Sequence, residues 1–386
     1  MEWLQIVWGL VFGYLFIWSA YLFVFAFAGL FYKTKTKMGE ASKNTYAVIV
    51  PAYKEDAIIV KSVKENLSID FPKDRYKLFV VAESLQESTL EELHKLPIKI
   101  VEISSINPTK AKAVNAALEF ITLKNYSHVI VLDADNVMNV DYLQKVSVQM
   151  SNNIQALQTH RKAKNSNGAV SVLDAINEEV GNHIFRKGHI VLGFSSALIG
   201  SGMVFKTELF ARLMAPIRDT AGEDKMLEFA LLQEKIKVQY QDDALVFDEK
   251  IEKQEQFEGQ RSRWVAARFY FLKSEARKSL IKLSQLDFDY FNKWLQFLLP
   301  QKIVLVVNVI LFSSLSILFS VNPILAMGLI VLLVLAFALS IPKEYYSFKT
   351  VKAIFSIPAM VFGMAMVLLN INKVDPSKFN VTSKEA

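Results

Sequence analysis

The stretch HVIVLDADN, residues 128–136, is the place from which the rest of the chain can be read. An unbroken apolar run leads into two carboxylates one residue apart, Asp133 and Asp135. HVIVLDAD (128–135) reads as a strand buried on both faces, which ends in Asp-Ala-Asp and gives way to a loop at the turn-forming Asp-Ala-Asp-Asn. Two carboxylates there can share a hard divalent cation with a phosphate oxygen, or can be turn formers and nothing more.

Upstream lie three more such runs: YAVIVPAY (46–53), KLFVVAE (77–83) and IKIVEI (98–103). Helix-period segments near 55–68, 87–95 and 109–123 separate them. Apolar strands alternating with helices predict an α/β fold, Rossmann-like, with a mostly parallel sheet covered on both faces. Ligands of such sheets bind beyond the carboxyl ends of the strands. Glu55, Asp56, Glu83, Asp133 and Asp135 all fall there.

Four further patterns bear on chemistry. Lys110 and Lys112 open the helix before the DAD strand, where the helix dipole disfavours cations. An anionic ligand would relieve that; a solvated basic patch is the plainer alternative. Gly200-Ser201-Gly202-Met203 permits close backbone approach to a ligand, or a simple turn. Glu223-Asp224 follows Ala221-Gly222 and starts the helix KMLEFALLQEK. Acids suit a helix start, and one beside a cleft can also act as a general base. Gln260-Arg261-Ser262-Arg263-Trp264 lies in a long basic segment with Arg268, Lys273, Arg277, Lys278 and Lys282. That segment reads as a helix on an anionic leaflet, or as Arg263 meeting a diphosphate while Trp264 offers its face to a sugar. The five histidines (94, 128, 160, 183, 189) have no metal-ligand spacing and read as structural.

Composition narrows the classes. The 386 residues are 52% hydrophobic and 21% charged, which excludes both disorder and a wholly membrane-embedded bundle. Without cysteine there is no disulfide scaffold, thiolate metal site or thiol nucleophile. A net charge of +6 falls short of a nucleic-acid-binding signature.

Charge is missing in blocks. From Met1 to Tyr32 only Glu2 is charged, and Lys33, Lys35 and Lys37 follow. The span predicts a transmembrane anchor rather than a secretory signal, since it lacks a positive n-region and exceeds the usual h-region. The lysines put residue 33 onward in the cytoplasm. The second block, Ile303 to Pro342, breaks at Asn322-Pro323 and predicts a hairpin of two minimal spans pointing outward. The third, Ala353 to Ile371, is long enough to span, yet Lys352, Ser356, Gly363 and Asn370 share one helical face, which suits an interfacial helix.

Taken in order, VPAYKED, KAKAVN, VLDAD, GSGM, GED and QRSRW resemble the motifs of a membrane-bound family 2 glycosyltransferase with the GT-A fold. The resemblance runs from about residue 46 to 270, and the relatives it suggests are cellulose, chitin and hyaluronan synthases and their non-processive cousins. It implies an inverting enzyme using a nucleotide-sugar donor, expected to be a UDP-sugar, with Mg²⁺ or Mn²⁺. It implies Asp135 as the metal-bound carboxylate with Asp133 beside it and the nucleotide, and Asp224, with Glu223, as the catalytic base position. Pro51, Tyr53, Glu55, Glu83, Lys110, Lys112, Gln260 and Arg263 fall to the donor, and Gly200, Ser201, Gly202 and Trp264 to the acceptor. The tail Phe379-Asn380-Val381-Thr382-Ser383-Lys384 resembles the gating loop of cellulose synthase, which adds Thr382 and Lys384 to the donor set. If so, the tail is cytoplasmic and 351–371 does not cross. Two departures leave the donor's base open: Glu83 where the family has Asp, and Lys54-Glu55 where it has Asn-Glu.

The expected organisation is an anchor (1–32), a basic linker (33–45), a cytoplasmic catalytic domain (46–250), amphipathic interfacial helices (251–300), a transmembrane hairpin (301–342), an interfacial or third C-terminal membrane helix (343–372) and a tail (373–386). The expected setting is a bacterial inner membrane. The expected acceptor is a glycan chain, with a membrane lipid or lipid-linked acceptor as the alternative. Three spans make a poor polymer channel, so polymer export would call for a homo-oligomer or an export partner. A non-catalytic membrane subunit is the reading from another class; a transporter lacks the ionisable residue its spans would need.

Overall fold

The computed structural model describes residues 2–34, 43–121, 126–151, 154–165, 167–220, 222–250, 254–358, 360–361 and 363. In chain order these form α1 (Glu2–Gly29), β1 (Tyr46–Tyr53), α2 (Ile59–Leu67), β2 (Tyr76–Glu83), α3 (Glu87–His94), β3 (Lys99–Ile103), α4 (Lys110–Phe120), β4 (His128–Val131), β5 (Val137–Met138) and α5 (Tyr142–Met150). There follow β6 (Ala156–Ala163), α6 (Ala169–Asn182), a π-helical turn (His183–Gly188), α7 (His189–Val191), β7 (Met203–Lys206), α8 (Thr207–Met214), α9 (Glu223–Gln233) and β8 (Gln239–Asp248). The C-terminal part holds α10 (Gln254–Ser274), α11 (Ala276–Ser284), α12 (Phe288–Leu295), α13 (Lys302–Leu318), α14 (Pro323–Ser340) and α15 (Phe348–Ile354).

The strands make one sheet of eight in the order β3-β2-β1-β4-β7-β6-β8-β5. β3, β2, β1 and β4 are parallel. β7 runs against both β4 and β6, β6 is parallel to β8, and β5 is antiparallel to β8. Alternate residues of β1 enter opposite cores: Tyr46, Val48, Val50 and Ala52 on one face, Ala47 and Ile49 on the other. The first face is covered by α2 and α5 through Ile59, Val63, Leu143 and Val146. The second is covered by α4, α8 and α9 through Val114, Ala117, Phe210, Leu227 and Leu231. With both faces covered, the central strands β1 and β4 are apolar nearly throughout and show no polar alternation.

Two expectations need correction. The strand expected over 128–135 is shorter, since β4 ends at Val131. Asp133 and Asp135 stand in the turn beyond it, where Asn136 N–H donates to Asp133 O at 3.0 Å. The hairpin of two spans has one short arm. Among the described residues, two helices are long and apolar enough to cross a membrane, Gln5–Gly29 and Pro323–Ser340. α13 has 17 residues, a length of about 26 Å against a hydrocarbon core of about 30 Å. The turn itself is as expected: Asn322 is left-handed (φ 47°) and Pro323 starts α14.

α1, α13 and α14 pack through Leu15, Trp18, Leu22, Leu305, Val309, Leu329 and Leu333. Their ends share a side. Tyr32, just past α1, donates to Tyr240 O at 2.6 Å; Lys302, opening α13, donates to Asn177 O at 3.1 Å; Glu344, just past α14, pairs with Lys162 at 2.8 Å. All three partners belong to the sheet domain. The other ends meet where Trp8 donates to Ser316 at 2.8 Å. In the third apolar block, Met360 is buried against Val170, Leu173 and Ile303, so this part of the segment lies along α6. Residues 364–386, with the gating-loop match, lie outside the described residues.

His160 ties the C-terminal half of the sheet together. Its ring reaches Asp242 Oδ1 on β8 and Glu179 Oε1 on α6, each at 3.0 Å. Burial works against its charge, but the hydrogen bonds to Asp242 and Glu179 outweigh it and push the imidazole up from 6.5 to about 9. The folded value lies above the unfolded one, so its stabilisation is complete below about pH 6.5 and is lost as pH rises through 9. We expect unfolding free energy in detergent to fall by roughly 2–3 kcal/mol between those limits, measured by denaturant titration. His160→Gln should flatten that slope; an unchanged slope in the variant would assign it to other groups.

Candidate active site

The site is built at the carboxyl edge of β1, β2 and β4. Thr109 caps α4, accepting from Lys112 N–H at 3.2 Å, and this sets Lys110 at the first helical position. The Lys110 ammonium is the hub. It is ion-paired with Asp133, donates to Gly200 O at 2.5 Å and stands 3.7 Å from Glu223 Oε1. Burial opposes its charge, but Asp133 and Glu223 outweigh that and hold the ammonium above its ordinary range. One side chain thus joins three segments that lie 23, 90 and 113 residues further along the chain.

The GSGM turn is fitted to this arrangement. Gly200 (φ 81°) and Gly202 (φ 65°) are left-handed, where a side chain is strained. A Cβ on Gly202 would stand 2.6 Å from Thr159 Oγ1. Ser201 is fully buried and its hydroxyl accepts from Asp133 N–H at 3.0 Å and Asn136 Nδ2 at 2.6 Å. Its side chain therefore ties GSGM to DADN, and anything it offers an acceptor comes from the backbone. Gln158, also fully buried, donates to Ser201 O at 2.9 Å and accepts from Ile199 N–H at 3.1 Å.

Glu223 and Asp224 open α9 after Gly222. Burial, opposed by Lys110 and reinforced by Asp224, pushes Glu223 up to about 7. Asp224 accepts from Lys225 N–H at 2.8 Å and lies 3.2 Å from the Lys225 ammonium. Its side chain is 17% exposed against 8% for Glu223, so Asp224 is the more open of the two carboxylates to an incoming hydroxyl. Asp135 is buried, at 7% exposure.

Tyr53 and Glu83 are paired at the ends of β1 and β2, with Pro51 further back opposite Val81. Both strands exit through left-handed residues, Lys54 (φ 55°) and Ser84 (φ 56°), which places Glu55 on the loop into α2. Glu83 is 3% exposed, and its Oε1 has no hydrogen-bond partner among the described residues. A buried acceptor left open at a strand end is a place for a ligand donor.

Lys112 does not join this group. Two residues along α4 from Lys110, about 200° around the axis, it pairs with exposed Asp219 at 2.6 Å and donates to Asn107 O at 2.9 Å. Gln260, Arg263 and Trp264 fall within α10, Arg263 and Trp264 three and four residues after Gln260. Trp264 is 48% exposed, with the Arg261 guanidinium 4.5 Å above its ring, and Arg261 pairs with Asp174 of α6. Thr382 and Lys384 lie outside the described residues.

The sequence reading missed Arg161, which stands 3.8 Å from Asp133 on the side away from Lys110 and binds Glu178 at 2.5 Å. It also missed Gln158, Lys225 and Glu228. Only Lys225 had a local signal, its place directly after Asp224.

A family model described as "Glycosyltransferase like family 2" matches residues 43–267, more than half of the chain. The chain belongs to glycosyltransferase-like family 2. It is thus a transferase of sugars, and its sheet, parallel at one end and mixed at the other, is the GT-A fold. No curated protein matches it. Among solved structures, this family 2 protein is similar to the mannosyltransferase PcManGT from Pyrobaculum calidifontis, in complex with GDP-Man and Mn²⁺. The identity is 16% and the TM-score 0.58, over 95% of this chain and 99% of that one. TarS 1–349 of S. aureus, in complex with UDP-GlcNAc, matches at 16% identity and TM-score 0.43 over 85% of this chain and 89% of that one. Glucosyl-3-phosphoglycerate synthase from Mycobacterium tuberculosis, with Mn²⁺, UDP and glucosyl-3-phosphoglycerate, matches at 15% identity and TM-score 0.40 over 59% and 81%. The first match extends the common fold over nearly the whole of both chains; the other two are looser.

The family's metal can be weighed against the residues present. Among the described residues, no three His, Cys, Asp or Glu side chains form a metal-binding group. Two carboxylates at one strand end, Asp133 and Asp135, fit a hard divalent cation completed by substrate phosphates and water, the usual manner of Mg²⁺ in phosphate chemistry.

Proposed function

We propose that the chain transfers a sugar, with inversion, from a nucleotide-sugar donor to a hydroxyl of a glycan or lipid-linked acceptor at a membrane surface. The observation that carries this is the Lys110 ammonium joining Asp133, Gly200 and Glu223 at the carboxyl edge of β4. Three motifs scattered in sequence meet where an α/β sheet binds ligands.

In the transfer, the acceptor oxygen attacks the anomeric carbon while the bond from that carbon to the diphosphate oxygen breaks. The acceptor's proton passes to the Asp224 carboxylate, and the bonding pair leaves with the nucleoside diphosphate. Lys110, held charged, stabilises the negative charge that develops on the leaving diphosphate. Mg²⁺ or Mn²⁺, when bound by Asp135 with Asp133 beside it, supplies further positive charge to that group. Glu83, with its open buried acceptor, faces the nucleotide's base, and Tyr53 and Glu55 border it. Gln260 and Arg263 serve the diphosphate side, and Trp264 the acceptor.

The membrane setting is supported by the exposed apolar faces of α1 and α14, including Leu10, Ile17, Ile324 and Val334, and by the three helix ends that meet the sheet domain on one side. With the lysines after α1, that arrangement supports a catalytic domain on the cytoplasmic face. One observation favours addition of a single sugar to a lipid-linked acceptor over polymer export. α1, α13 and α14 pack against one another through large side chains, with no need of a lumen, and a channel would require other helices.

The test is nucleotide release by the full chain in detergent, across UDP-, GDP- and dTDP-sugars with Mn²⁺ or Mg²⁺, with and without membrane lipid extract. Release from one donor, raised by lipid and absent in Asp224→Asn, is the expected result. Silence across the panel from folded protein would return weight to a non-catalytic subunit.

A further inference from the structure

Lys225 and Glu228, one turn apart on α9, grip a single backbone unit of the loop before GSGM. The Lys225 ammonium donates to Leu198 O at 2.5 Å and stands 3.2 Å from Asp224 Oδ2 and 3.3 Å from Glu228 Oε2. One of the ammonium's three N–H donors is spent on Leu198 O, and the two carboxylates stand within ion-pair distance of it. Glu228, 2% exposed, accepts from Leu198 N–H through Oε1, and the Lys293 ammonium of α12 stands 2.8 Å from the same oxygen. Leu198 is therefore held at its carbonyl by one residue and at its N–H by the other. It lies two residues before Gly200, whose own carbonyl takes Lys110.

The four side chains balance, Asp224 and Glu228 against Lys225 and Lys293. They sit where an unmatched charge is costly. Both oxygens of Asp224 are engaged by Lys225, one by its backbone N–H and the other by its ammonium. Within this group of four, Lys225 is the side chain that meets both the Asp224 carboxylate and the backbone just before GSGM.

We infer that Lys225 is a positioning residue for the transfer step: it orients the Asp224 carboxylate against the Leu198–Gly202 loop, and Glu228, itself paired with Lys293, supplies the counter-charge beside its ammonium. This rests on Asp224 being the base. The function of Lys225 is then exerted through Asp224, which separates it from a residue that merely stabilises the fold.

A double-mutant cycle reads that difference. The full chain would be assayed in detergent by nucleotide release from whichever donor of the panel the wild type uses. Lys225→Met should lower kcat roughly 10- to 100-fold with the donor KM within about twofold, since the donor's own contacts are untouched. Asp224→Asn combined with Lys225→Met should be no slower than Asp224→Asn alone, because the residue through which Lys225 acts is already disabled. Should Lys225→Met fail to fold, Lys225→Gln keeps a donor for Leu198 O without the charge and carries the same expectation. A wild-type kcat in a folded Lys225 variant overturns the inference, as does a double variant that falls by the full Lys225 factor below Asp224→Asn. A wild type inert on every donor overturns the functional reading itself, which an active wild type with an additive cycle does not.

Discussion

Asp224→Asn is expected to cut sugar transfer by about 10²- to 10⁴-fold, the range over which a positioned general base acts. The substitution is close to isosteric. The new amide oxygen can still accept from Lys225 N–H, which now reaches Asp224 Oδ1 at 2.8 Å, so the first turn of α9 should keep its shape. What disappears is the capacity to take the acceptor's proton. Donor binding should survive, because the residues proposed for the diphosphate, Lys110 above all, touch Asp133, Gly200 and Glu223 instead. Calorimetric donor titration beside the turnover assay separates the two effects. Undiminished turnover would take the base role from Asp224 and pass it to Glu223, whose value of about 7 suits proton transfer near neutrality.

Asp135→Asn is expected to remove metal-stimulated turnover with a comparable loss, about 10²- to 10⁴-fold. That corresponds to several kcal/mol of charge stabilisation at the leaving group. The reason is the donor set. A neutral amide oxygen is a weaker partner for a hard cation than a carboxylate, and few protein ligands stand by to replace it. The Mn²⁺ concentration for half-maximal rate should rise as the maximal rate falls. Asp133→Asn would be a poorer probe, since it also deprives Lys110 and Arg161 of a counter-charge. Metal stimulation that persists in Asp135→Asn would move the cation away from this strand end.

Much of the fold was legible from local pattern. The runs at 46–53, 77–83 and 98–103 are strands to within a residue; β1 and β2 are legible because a strand covered on both faces has little polar side to interrupt it. Asn322-Pro323 announced its turn through a left-handed Asn and a proline at the first helical position. β6, β7 and β8 were not legible. β6 buries Gln158, Thr159 and His160 and half-buries Arg161 on alternating faces, polar residues that no apolar-run criterion selects, and each is satisfied by a partner 17 to 43 residues along the chain. The shortness of α13 was hidden because the uncharged block runs unbroken past its C-terminal end, while its first residue, Lys302, is engaged with Asn177.

The candidate site divides in the same way. Lys110, Asp133, Asp135, Gly200, Glu223 and Asp224 could be singled out beforehand because strand ends, helix starts and glycine turns are local features, and their order matched a family. Their roles toward one another could not. That Lys110 faces Asp133 while Lys112 faces Asp219 depends on the angular position of α4 against the sheet. That Ser201 turns inward depends on the close approach of GSGM to DADN. Burial sets the charge of Glu223, and the Lys225–Glu228–Lys293 group exists only because α12 folds back onto α9. Element type and residue chemistry follow from short-range propensity and periodicity, which any ten or so residues carry within themselves. Counter-charge, desolvation and orientation are properties of groups remote in sequence, and they come into being when packing brings those groups within a few ångströms.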